Sequence, residues 1–158
     1  MLEESQRRIE PNWSEEAPTV PGVDPALRVL VAEDDVQMRE LLVQVLSEAG
    51  YNVTVARNGT EMLTDLLQAA LRHFPGEPFD LLITDQLMPG CTGLDALARL
   101  RSIGYTVPAL LITAFPDFGL RQRADRLHAV VLAKPFGLSE LHTAVDDCAR
   151  LDPRRDID

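Results

Sequence analysis

Apolar residues along this chain come in two rhythms. Five short runs, at 28–32, 52–56, 80–84, 109–113 and 130–133, are nearly unbroken stretches of Val, Leu, Ile and Ala. Runs of that length bounded by turn residues read as strands buried on both faces. Between them the spacing becomes helical. Met38, Leu41, Leu42, Val45, Leu46 and Ala49 form one stripe, closed by Gly50, and Met62, Leu63, Leu66, Leu67, Ala70 and Leu71 form a second. A third carries Leu94, Leu97, Leu100 and Ile103 and stops at Gly104. Glycine just past a helix end readily takes the left-handed conformation that caps it. The last stripe is Leu141, Ala144, Val145 and Cys148, with Ser139 placed as its N-cap. Asn58-Gly59 and the segment 75–78 read as turns, and the polar stretch bearing Arg121, Arg123 and Arg126 predicts a short helix from about Gly119.

Strands alternating with helices predict an α/β chain: a doubly wound (βα)5 three-layer sandwich on a parallel five-stranded sheet. Right-handed crossovers would bring every strand's carboxyl end to one edge, where ligands of open α/β sheets bind. The domain is expected over 28–151. Residues 1–27 hold Pro11, Pro18, Pro21 and Pro25 without sustained periodicity and read as a flexible arm, in which Trp13 either packs on the domain or a partner or is solvated. The charged tail 152–158 is expected to fray.

Composition narrows the function classes. A length of 158 residues with 46% hydrophobic content suits one globular domain. Neither a membrane-spanning run nor an apolar leader is present, so a cytoplasmic location is expected. Cys91 and Cys148 are spaced neither as metal ligands nor as a disulfide framework and read as free thiols. A formal net charge of −10 argues against direct nucleic-acid binding. Of fifteen basic residues, fourteen are arginine and one is Lys134. Arginine's planar fork and lysine's point charge are not interchangeable at a tight site.

The strand exits are where chemistry concentrates. The first delivers Glu33 and Asp34, the third Asp85, the fourth Thr113 and the fifth Lys134. Three carboxylates brought together repel unless a cation lies among them, and an open oxygen cluster suits Mg²⁺. One carboxylate could then attack phosphorus and form an acyl phosphate, with Lys134 and the Thr113 hydroxyl holding phosphoryl oxygens.

These residues resemble the receiver domain of bacterial two-component response regulators, the chemotaxis-regulator fold. The acidic pair, the block Asp85-Gln86-Leu87-Met88-Pro89-Gly90, Thr113-Ala114 and Lys134-Pro135-Phe136 occur in order at strand ends. The resemblance spans about 28–150 and implies the strand order 2-1-3-4-5. It implies Asp85 as phospho-acceptor, with Glu33, Asp34, Asp85 and the Leu87 backbone carbonyl around Mg²⁺. Thr113 is implied as the switch hydroxyl and Lys134 as the phosphate-binding lysine. The phosphoryl source implied is a sensor histidine kinase or phosphotransfer protein, and the output a downstream protein partner.

Departures accompany the matches. Val131 stands where the family usually has an aromatic whose rotamer reports phosphorylation. Arg126-Leu127-His128-Ala129 replaces a small-residue turn, the fourth helix is expected to be short or displaced, and 73–78 forms an enlarged loop. Leu87 and Phe115, which flank the phosphate, are apolar and cannot orient a hydrolytic water, so a long-lived phosphoryl group is expected. With no room for an output domain, the expected role is a diffusible single-domain relay that is not an enzyme beyond its own phosphoryl chemistry. The alternative is a receiver-fold interaction module independent of phosphate. A stand-alone phosphatase is disfavoured because Leu87 occupies the place of a general acid. The Arg121, Arg123 and Arg126 group reads as a solvated face before a docking surface, and His73, His128 and His142 are too scattered for a metal site.

Overall fold

A computed structural model describes residues 27–73 and 78–150. The elements are β1 (Arg28–Ala32), α1 (Val36–Glu48), β2 (Asn52–Ala56), α2 (Gly59–His73), β3 (Leu81–Asp85), α3 (Gly93–Ser102), β4 (Ala109–Thr113), α4 (Phe118–Arg126), β5 (Ala129–Ala133) and α5 (Leu138–Arg150). All neighbouring strands pair in parallel, in the order β2-β1-β3-β4-β5, as the resemblance implied. The arm, Trp13, the tail and most of the 73–78 loop lie outside the described residues.

Strand pleating splits the interior into two cores, because successive side chains point to opposite faces. Leu30, Ala32, Leu82, Ala109, Leu111 and Ala129 pack with α2, α3 and α4. Val29, Val31, Leu81, Ile83, Leu110, Ile112 and Leu132 pack with α1 and α5. β3 and β4 are buried at all five positions, whereas β2, at the sheet's edge, is largely exposed. Burial at roughly 25 cal/mol per Å² of apolar surface is the main force holding these layers together.

Several boundaries differ from the sequence expectation. The third strand is offset by one residue, starting at Leu81 and including Asp85. Asn58 and Gly59 do not form a free turn: the Asn58 side chain accepts from the Glu61 amide at 2.8 Å, and Gly59 opens α2. A side chain at Gly59 would collide with the Cys91 backbone, which explains glycine there. α4 begins at Phe118 because Asp117 caps it, accepting from Leu120 N at 2.8 Å. Ser139 is not the cap of α5; the helix starts at Leu138, and the Gly137 carbonyl takes the first helical bond, from Leu141 N. Leu41, Ala49, Leu67, Leu71 and Ile103 prolong the apolar stripes in sequence but stand exposed.

Three helices end alike. At α1, the Gly50 amide reaches Ser47 O and Tyr51 N reaches Leu46 O; at α3, Gly104 and Tyr105 repeat the pattern on Arg101 and Leu100. Both glycines have positive φ, +93° and +91°. At α4 the same position is His128, with φ 55°, its amide donating to Asp125 O at 3.1 Å. The fourth helix is thus short, at nine residues, but seated, with Ala124 buried and Leu120 and Leu127 against the core.

Candidate phosphoryl-acceptor site

The site follows from the same pleat. Glu33 continues the row Val29-Val31, Asp85 the row Leu81-Ile83, and Lys134 the row Val130-Leu132, all on the α1/α5 side of the sheet. Three strands of a parallel sheet therefore present two acids and an ammonium at one edge. Lys134 Nζ lies 3.1 Å from Asp85 Oδ2 and 3.6 Å from Glu33 Oε2. Carboxylate oxygens of Glu33, Asp34 and Asp85 approach within 4.8 Å of one another.

The turn after β1 is pinned by bonds between side chains and backbone. Arg39 donates to the Glu33 carbonyl at 3.0 Å, the Asp35 amide donates to Glu33 Oε1 at 3.2 Å, and Asp35 caps α1 through Gln37 N. This leaves Asp34 exposed and its carboxylate unused by the helix. Glu33 is 1% exposed, and its Oε2 has no hydrogen-bond partner; the contact to Lys134 is an ion-pair distance, too long for a hydrogen bond. Burial, with the Asp85 charge beside it, pushes the Glu33 carboxyl up to about 7 against an ordinary 4.5, only partly offset by the Asp35 amide and Lys134. Lys134 is held above its usual range, because the bonds and charges of Asp85 and Glu33 together outweigh the opposing effect of its burial, the largest single influence. An orphaned carboxylate oxygen among hard oxygen donors is a place that a small divalent cation fits.

Thr113 is buried and belongs to the opposite row, Ala109-Leu111, on the α2–α4 side. Its hydroxyl oxygen accepts from Phe115 N at 3.1 Å, and its carbonyl accepts from Lys134 N at 2.8 Å, tying the fourth and fifth strand exits together. The Lys134-Pro135 peptide is cis. Val131 is half-buried opposite Leu111 and packs against the α2–α4 core, in the place where the family usually has an aromatic. Leu87 and Phe115 point apolar side chains into solvent, 59% and 69% exposed.

Two residues that sequence reasoning passed over shape the β3 exit. Gln86 is buried and uses its side chain to accept from Leu94 N at 2.9 Å. Thr92 caps α3, accepting from Asp95 N at 3.1 Å. Thr92 was legible, since Thr followed three residues later by an acid is a helix-start signature. His128, in the turn after α4, and His142, in α5, are both exposed, and the His73 side chain lies outside the described residues. Arg123 pairs with Asp95 at 3.1 Å on the surface, and Arg121 is exposed, in keeping with a solvated face.

Comparison with known proteins places this arrangement. The response regulator receiver domain family matches residues 29–146. The response regulator receiver protein CpdR of Brucella abortus is 37% identical over 120 residues, covering 75% of this chain and 93% of that protein. A probable transcriptional regulatory protein of Picosynechococcus is 39% identical over 119 residues, covering 72% of this chain but only 45% of its own length. The chain thus spans nearly all of one relative and about half of the other. Among solved structures, the chemotaxis protein CheY4 of Vibrio cholerae superimposes with a TM-score of 0.65 at 27% identity, covering 78% of this chain and 98% of that one. In sequence, strand order and the residues gathered at the sheet's edge, this chain belongs to the response regulator receiver domains, the phospho-accepting domains of two-component signalling.

Proposed function

We propose that Asp85 accepts a phosphoryl group from a sensor histidine kinase or phosphotransfer protein in the cytoplasm, and that the phosphorylated chain changes its affinity for a downstream protein. The observation that carries this reading is Lys134, the only lysine of the chain, resting 3.1 Å from Asp85 Oδ2 beside the orphaned Glu33 oxygen. Glu33, Asp34, Asp85 and the Leu87 carbonyl would hold Mg²⁺. When bound, that ion would neutralise the charge of the incoming phosphate and of the carboxylates.

The protein's own residues do the rest. Lys134 orients the Asp85 carboxylate before reaction and pairs with phosphoryl oxygens afterwards. An Asp85 oxygen attacks phosphorus as the bond to the donor's imidazole nitrogen breaks, which leaves an acyl phosphate on Asp85. Thr113 exchanges its bond from Phe115 N for one to the phosphate, shifting the population of a second conformation. No other substrate is turned over. Because Leu87 and Phe115 offer no polar group to a hydrolytic water, the acyl phosphate is long-lived.

The test is incubation with Mg²⁺ and acetyl phosphate followed by intact mass. One added phosphate on the protein and none on Asp85→Ala is expected; an adduct that survives in Asp85→Ala overturns the assignment.

A further inference from the structure

We infer that Gln86, the residue between the acceptor and Leu87, is a positioning residue of the phosphoryl-acceptor site, an inference resting on the function proposed above. Four amides open α3, and Gln86 takes two of them. Its backbone oxygen accepts from Gly93 N at 3.0 Å, and its side-chain oxygen accepts from Leu94 N at 2.9 Å. Its own amide donates to Ile112 O of β4 at 2.9 Å. Gln86 is therefore held on three sides, by β4 and twice by α3.

That hold extends to the acceptor itself. α3 comes so close that a Cβ on Gly93 would lie 2.6 Å from the Asp85 carbonyl oxygen and 2.9 Å from Leu111 Cδ1. The Asp85 carbonyl in turn accepts from Thr84 Oγ1 at 2.9 Å. Asp85, Gln86 and the first turn of α3 form one rigid corner, immediately before Leu87 in the chain. Losing the Gln86 acceptor frees one side of this corner and leaves a buried helix-terminal amide unpaired. Supporting groups of this kind hold metal and phosphoryl ligands to productive geometry, and their loss typically weakens affinity or rate by about 10–100-fold. Glutamine suits the task because its acceptor sits one methylene further out than asparagine's and carries no charge to add to the three carboxylates.

Thr92 supplies an internal control. It caps the same turn of α3 from the far end of the loop, and its side chain's bond, from Asp95 N, stays within α3. The experiment compares wild type, Gln86→Met, Gln86→Glu and Thr92→Ala by four measurements. These are thermal midpoint, hydrogen exchange of the Leu94 amide, Mg²⁺ midpoint by NMR titration, and initial rate of adduct formation with acetyl phosphate. Gln86→Met is expected to speed Leu94 exchange and to weaken both the Mg²⁺ midpoint and the rate by about tenfold. Gln86→Glu, which keeps the acceptor, restores slow Leu94 exchange but brings a charge beside the three carboxylates, and so restores the rate only in part. Thr92→Ala lowers the thermal midpoint comparably while leaving Mg²⁺ binding near wild type. A Gln86→Met protein with fast Leu94 exchange but wild-type Mg²⁺ midpoint and rate overturns the inference, because the bond is then only structural. If Gln86→Met does not fold, Gln86→Asn, too short to reach Leu94, carries the same comparison. Should wild type itself form no adduct, the function proposed above fails, and the Mg²⁺ midpoints alone decide the role of Gln86.

Discussion

Replacing Glu33 by glutamine is the sharpest probe of the site's electrostatics. The Glu33 carboxyl is pushed up to about 7 in the folded protein, from the 4.5 it has when solvated, by burial and by the neighbouring Asp85 charge. Between those values the folded chain holds one proton more than the unfolded chain, so stability from this group is present at low pH and lost as pH rises through about 7. A rise from 4.5 to about 7 amounts to about 3 kcal/mol. Glutamine keeps the carbonyl acceptor for the Asp35 amide and never ionises. With a chelator present, urea unfolding followed by circular dichroism at about pH 5, 6, 7 and 8 should show wild type losing up to about 3 kcal/mol relative to Glu33→Gln. The two proteins should be nearly equal at the acid end. Mg²⁺ at the alkaline end should narrow the gap, since the cation replaces the missing proton. Lys134 does not blur the result: its pKa is raised above 10.5, so its contribution is lost only at higher pH. Parallel pH profiles for the two proteins would refute the reasoning, because the buried carboxyl would then titrate as if solvated.

Four further outcomes follow from features already described. Lys134→Met should retain Mg²⁺ binding but slow adduct formation with acetyl phosphate by about 100-fold, as expected for removal of one preorganised positive donor; an unchanged rate would remove Lys134 from the mechanism. Combining Leu87→Asn with Phe115→Glu should shorten the lifetime of the Asp85 adduct in a dephosphorylation time course, and an unaltered lifetime would sink the idea that these apolar positions govern release. His128→Gly should raise stability by up to about 1 kcal/mol in urea unfolding, because glycine relieves the left-handed strain at the α4 terminus and returns part of that gain through unfolded-state entropy. Cys148, buried with its thiol pushed up to about 12 by its apolar surroundings and the Asp147 charge, should resist alkylation in native protein and react only on unfolding.

Much of the fold was legible because its signals are local. Buried parallel strands write themselves as unbroken apolar runs, and β1, β2 and β4 match their expected limits, with Gly50 and Gly104 closing helices as their conformational freedom suggests. The acidic set and Lys134 were visible as strand exits, and the structure brings them to contact distance. What escaped depended on which of several polar residues the backbone chose. Ser139, Asp117 and Asn58 are all good cap residues; only the last two are used, and nothing local to Ser139 reveals that Gly137 has taken its place. Gln86 was silent for a related reason. A glutamine at a strand exit reads as solvated until α3 folds back over it and delivers the amide that it accepts.

The pleat of the sheet has a last consequence. Asp85, Glu33 and Lys134 are rooted among side chains that meet α1 and α5, while Thr113 is rooted among those that meet α4, only one strand away. The sheet is thus a party wall: the acceptor and its hydroxyl are neighbours across it, each standing on a different floor of packing. Repacking under Leu141 or Val145 should reach the carboxylates first, and repacking around Ala124 or Val131 the hydroxyl first. A single-residue insertion in β4 would move Thr113 through the wall.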